Sequence, residues 1–135
     1  EIEAAMPEIT ASDIPCAAIC IAYPEGRLHR VNRLGSLWRV HHARFSDCDE
    51  AGTWSFPENK DMEAKAIPMT RGQALDILDF VKEFPVEIGT LYVACFGGIS
   101  RSRGVAAGLA AVFAWDDREV YAAGINPIDI KIRTK

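Results

Sequence analysis

A short apolar run rich in strand formers, Leu91-Tyr92-Val93-Ala94, is followed after a glycine-containing loop by an Ala-rich stretch, Gly104 to Trp115, with large apolar residues at helical spacing. This strand–loop–helix unit constrains the chain more than any other feature. The loop itself reads Cys95-Phe96-Gly97-Gly98-Ile99-Ser100-Arg101, so a cysteine stands at the strand's carboxyl end and an arginine just before a helix expected to begin near Ser102. A tight loop at that junction can aim several backbone N–H groups at one anion, and the helix adds roughly half a positive charge at the same point. The expectation is an oxyanion-binding loop with a reactive cysteine at its foot.

The remaining elements extend the same theme. Residues 17–23 predict a first strand, ended by the turn signal Pro24-Glu25-Gly26, and Leu37 to His41 alternates like a second strand. Between them, Leu28, Val31 and Leu34 at three-residue spacing predict a short helix over 27–34. Residues 45–61 are polar, with glycine and proline, and predict a long loop; 64–67 suggest one further short strand. Thr70 followed by Gln73 forms a capping-box signature, after which Leu75, Ile77, Leu78, Val81 and Phe84 build an apolar face that stops at Pro85. Asp116 with Glu119 predicts a second capping box, Gly124 a helix stop, and Asn126-Pro127 opens a final short segment. Strands alternating with helices imply an α/β fold with a mainly parallel central sheet flanked by helices on both faces. In such sheets ligands bind beyond the carboxyl ends of the strands, and Cys95 lies at one such end.

At 135 residues a single domain over 1–135 is expected. A net charge of −4 argues against a nucleic-acid-binding surface dominated by basic charge, so affinity for phosphate must be local. No continuous apolar run reaches membrane-spanning length and no signal peptide is evident, which predicts a cytoplasmic protein without a membrane partner. Four cysteines, Cys16, Cys20, Cys48 and Cys95, are expected as free thiols in that compartment. Cys16 and Cys20 fit a buried strand in which thiols act as small apolar groups. With His41, His42 and Cys48 they supply zinc-ligand types, but at none of the usual paired-knuckle spacings.

The segment Cys95-Phe-Gly-Gly-Ile-Ser-Arg101-Ser102 resembles the signature of the cysteine-dependent protein phosphatases of the tyrosine and dual-specificity type: Cys, five residues, Arg, then Ser or Thr. Gly98 and Ser100 match as well, because small members of that family often read Gly-x-Ser-Arg-Ser. The order of elements from about residue 17 onward is also similar. The resemblance implies a metal-independent phosphoric monoester hydrolase that needs no cofactor and acts on a phosphorylated protein or peptide. Phosphotyrosine is the first expectation, with phosphoserine and phosphothreonine as dual-specificity substrates.

Each residue then has a task. Cys95 attacks phosphorus as a thiolate, favoured by the helix N-terminus, the loop N–H groups and Arg101. Arg101 grips two equatorial oxygens with its planar fork. Phe96, Gly97, Gly98, Ile99 and Ser100 supply the phosphate-binding backbone, the glycines allowing close approach. Ser102 hydrogen-bonds the sulfur as it departs from the cysteinyl phosphate. The general acid implied by the resemblance comes from a separate loop. Asp47 is the first choice, because Phe45-Ser46-Asp47 resembles a Phe-x-Asp segment of small bacterial and phage members; Asp61 is the runner-up and Asp49 a third candidate. Cys48, beside Asp47, could pair with oxidised Cys95, and Trp54 and Phe56 could stack on a phenolic ring.

Two residues depart from the pattern. Alanine stands at position 94 where the family usually has a histidine that supports the loop, and Arg103 puts a second cation in the first helical turn. The alternative function is therefore a phosphate-recognising module that cleaves poorly. Because residues 96–100 are uncharged, a single phosphate suits the loop better than a polyphosphorylated lipid.

Overall fold

The computed structural model describes residues 15–24, 37–46, 48, 52–56, 59–95, 101–118, 120 and 129–134. In chain order the elements are β1 (Cys16–Ala22), β2 (Leu37–Arg44), β3 (Gly52–Phe56), β4 (Asn59–Ala66), α1 (Arg71–Lys82), β5 (Thr90–Cys95), α2 (Arg101–Phe113) and β6 (Asp129–Arg133). The predicted helix at 27–34 and the stop at Gly124 lie outside the described residues.

The fold is α/β. A sheet in the order β2-β1-β5-β6 has β1 parallel to both β2 and β5, while β6 returns antiparallel along β5. Three parallel strands therefore point their carboxyl ends the same way. Every residue of β1 is buried, and side chains alternate between the two sheet faces. Ala17, Ile19 and Ile21 join Leu91, Val93 and Cys95 of β5, with Ile130 and Ile132 of β6, in one core. Cys16, Ala18 and Cys20 join Tyr92 and Ala94 on the other face. Cys16 and Cys20 are thus buried in a strand, as expected, and none of the four cysteines is in a disulfide.

Both α1 and α2 pack on the first of these faces, since Ile77, Phe80, Val81, Ala106, Leu109 and Ala110 belong to its core. The expectation of helices on both faces is met by the described residues on one face only. A register irregularity explains how β2 serves that face. Cys16 pairs with Leu37 but Ala18 with Val40, so one extra residue in β2 shifts its phase. Trp38 and His41 consequently both turn to α1, where Trp38 stacks on Phe80 with ring centroids 5.9 Å apart and His41 lies 5.2 Å from the same ring. Burial there lowers the His41 pKa below the ordinary imidazole value, with Asp76 opposing part of the effect.

Two sequence expectations are corrected. Residues 45–61 are not one loop: β3 and β4 form an antiparallel hairpin, with Gly52 opposite Ala66 and Ser55 opposite Glu63. Helix and strand signals were masked there by polar residues, because a hairpin's ladder is backbone bonding that few side chains announce. On α1, Leu75 is 47% exposed and Phe80 takes the buried position. At 3.6 residues per turn Leu75 stands about 200° from Ile77, whereas Phe80, Val81 and Phe84 lie three, four and seven residues on and share its face. Of the capping box expected at Asp116 the first half is present, since Asp116 Oδ1 accepts from the backbone N–H of Arg118 at 3.0 Å where helical backbone begins again; Glu119, which would make the reciprocal bond, lies outside the described residues. The facing Arg118 guanidinium holds the Asp116 carboxyl down to about 2.

Candidate functional site

Three parallel strand ends meet at one place. Beyond β1 comes Tyr23, beyond β2 comes Phe45, and Cys95 is the last residue of β5. The backbone N–H of Phe45 donates to Ala22 O at 3.1 Å, and Cys95 pairs in register with Ile21, which keeps the three ends level. Strands buried on both faces hold such a platform rigidly.

Cys95 is 1% exposed and faces the helix-covered core. Its thiol donates to Ser102 Oγ at 3.4 Å, and Ser102 is fully buried. The contact sets the sulfur against the first turn of α2, where the helix carries partial positive charge. When the sulfur is an anion the same pair reverses, the Ser102 hydroxyl becoming the donor.

Arg101 opens α2 yet is only 6% exposed. A buried guanidinium is costly unless its donors are engaged. Its Nη1 donates to the carbonyl of Phe45 at 3.0 Å, and the guanidinium carbon lies 4.3 Å from the centroid of the Tyr23 ring. The arginine therefore ties the start of α2 to the ends of β1 and β2, across 56 residues of sequence in the case of Phe45.

Cys95, Arg101 and Ser102 are thus brought to one edge of the sheet. Phe96, Gly97, Gly98, Ile99 and Ser100 lie outside the described residues, as do Asp47 and Asp49. The backbone flanking position 47 is held on both sides. Ser46 N–H donates to Ile67 O at 2.7 Å, Ser46 Oγ accepts from Ile67 N–H at 3.0 Å, and Cys48 N–H donates to Ser46 O at 3.0 Å. Position 47 is two residues from the carbonyl that Arg101 bonds. Asp61, in contrast, is on β4 five residues before Ala66, so roughly 16 Å of extended strand separates it from the hairpin end tied to Ser46. The side chains of Asp61, Trp54 and Phe56 lie outside the described residues. Cys48 is half-buried beside this segment.

Two contributors escaped the sequence reading. Tyr23 gave no signal beyond an aromatic residue closing a strand before Pro24. Gln73 was assigned to a capping box, which it makes, its Oε1 accepting from Thr70 N–H at 2.9 Å. Its Nε2 also donates to Arg44 O at 2.6 Å, anchoring the end of β2 to α1. Among the described residues no group of three or more His, Cys, Asp or Glu side chains is placed to hold a metal ion, and no helix is long and apolar enough to cross a membrane.

No protein-family model matches this chain, and neither a curated protein nor a solved structure does.

Proposed function

We propose that the protein is a metal-independent phosphatase acting on phosphotyrosine in a protein or peptide, with dual specificity toward phosphoserine and phosphothreonine as its broader form. The observation that carries this reading is the 3.4 Å contact between Cys95 and Ser102 across the strand–loop–helix junction. A surface arginine and an inert thiol at chance spacing have no reason to come with a buried hydroxyl against that sulfur.

In the first step the Cys95 thiolate forms an S–P bond and the ester P–O bond breaks. The departing oxygen takes a proton from the general acid, for which Asp47 is the assigned residue. Arg101 and the backbone N–H groups of 96–101 hold the equatorial oxygens as charge develops on them. In the second step water attacks phosphorus, its proton passing to the same carboxylate. The S–P bond breaks, and Ser102 donates its hydroxyl proton as a hydrogen bond to the regenerated thiolate. The attachment of Phe45 to Arg101 supports Asp47 over Asp61, because it holds Phe45, two residues before position 47 in sequence, against the clamp.

A second reading is favoured by Ala94 and by the closed sulfur. Ala94 is fully buried on the opposite face, packed among Cys20 and Tyr92, and Cys95 is nearly shut from solvent. A module that binds phosphoprotein without cleaving it fits those facts.

The reduced full chain is expected to hydrolyse an aryl phosphate in the presence of a chelator. Cys95→Ser should lower the rate by at least about a thousandfold, and acid quenching of the wild type should trap phosphate on Cys95. Tight binding of a phosphotyrosine peptide with no turnover would replace the enzyme by the binding module.

A further inference from the structure

The guanidinium carbon of Arg101 lies over the face of the Tyr23 ring and a carbonyl sits at one of its nitrogens, and the two partners come from neighbouring strand ends. Tyr23 follows β1 and Phe45 follows β2, joined by the bond from Phe45 N–H to Ala22 O. We propose that Tyr23 is a positioning residue for Arg101, fixing the plane of the guanidinium so that its fork is set for a phosphoryl group before substrate arrives. This rests on Arg101 acting as the phosphate clamp.

The physical case starts with freedom. An arginine side chain has four rotatable bonds, and its value as a clamp depends on holding one plane, because bidentate recognition is directional. The hydrogen bond from Nη1 to Phe45 O fixes one point of the group. A ring face at 4.3 Å restricts its rotation about that point.

Charge gives the second argument. A carboxylate in place of Tyr23 would orient Arg101 equally well, yet it would offset the charge that a phosphate dianion needs. The ring and the carbonyl are both neutral, so these two contacts orient the cation without offsetting its charge. Tyr23 is 51% exposed, so it adds little to the core, and its contact with Arg101 is with a residue that is 6% exposed. An exposed ring covering a buried cation is placed for the cation's sake more than for the fold's.

The test compares Tyr23→Leu, which removes the ring, with Tyr23→Phe, which removes only the hydroxyl. In the wild type and in Tyr23→Phe the Arg101 Nε–H signal in a nitrogen–proton spectrum should be displaced upfield by the ring current. That displacement should vanish in Tyr23→Leu. Tungstate, used as a phosphate mimic, should bind Tyr23→Leu about tenfold more weakly by calorimetry, with Tyr23→Phe within about twofold of wild type. The ratio kcat/KM for an aryl phosphate should follow the same order. A wild-type Arg101 signal without the displacement overturns the proposal whatever the variants do. Tungstate affinity that survives Tyr23→Leu overturns the proposal alone, leaving the phosphatase reading intact. Failure of tungstate to bind the wild type removes the phosphate reading and the proposal together.

Discussion

The two helices that share a sheet face are built to opposite specifications. α1 opens with a full capping box, Thr70 Oγ1 accepting from Gln73 N–H and Gln73 reaching back to Thr70 N–H, and it closes with Lys82 in its last turn. These are features that stabilise a helix at its ends. α2 opens with Arg101 and Arg103 in its first turn and no acidic residue there, which opposes the helix dipole. It also carries Gly104 and Gly108 in its interior and turns out through Ala114 at φ 56°, a left-handed conformation that glycine adopts at less cost. Each of these departures is a local expense. The lesson is that α2 begins where it does to place Arg101 and Ser102 against the strand ends, while α1 is a scaffold that holds β2 in reach.

If that division is right, a change at the start of α2 strikes function and a change at the start of α1 strikes stability. Arg101→Lys keeps the charge but loses the planar fork and its stack on Tyr23. It should lower kcat/KM for an aryl phosphate by roughly a hundredfold or more, with a folded circular-dichroism spectrum. A loss under fivefold would mean that Arg101 is a structural tie and not a clamp. Thr70→Ala removes one half of the capping box and should cost about 1 kcal/mol, read as a fall in Tm of roughly 4 °C. Turnover per folded molecule should hold. Should it fall as steeply as in Arg101→Lys, the contrast between the helices disappears.

The smallest change runs the other way. A Cβ added at Gly108 meets nothing within 4 Å, and position 108 borders a groove of about 240 Å³ between Ile77 and Leu78 of α1 and Val105 and Leu109 of α2. Gly108→Ala should therefore stabilise the protein by about 0.5 to 1 kcal/mol through helix propensity, giving a Tm higher by about 2 to 4 °C. No gain would show that α2 already pays nothing for its glycines.

Much of the fold was legible where the controlling interactions span a few residues. The Thr70–Gln73 box, the stop before Pro85 and the end of β5 at Cys95 all followed from neighbours in sequence. The apolar face of α1 was read with one member wrong, Leu75 in place of Phe80, because two apolar patterns overlap there and only packing on Trp38 and the core chooses between them. For a different reason the β3–β4 hairpin was legible only at its last few residues, where a strand over 64–67 is expected and β4 ends at Ala66. Its pairing is made by backbone groups, and its polar side chains carry no period that separates strand from loop.

For the site the division is similar. The spacing of Cys95, Arg101 and Ser102 was determined by the sequence, since a strand that ends at one and a helix that starts at the next leave a loop of set length between them. That the Ser102 hydroxyl lies against the sulfur is seen only in the folded chain. What lies under the guanidinium was decided by tertiary structure alone. Tyr23 and Phe45 reach Arg101 only because β1 sits between β2 and β5 with all three strands parallel, and that order depends on burial summed over the whole sheet, which no local stretch of sequence encodes.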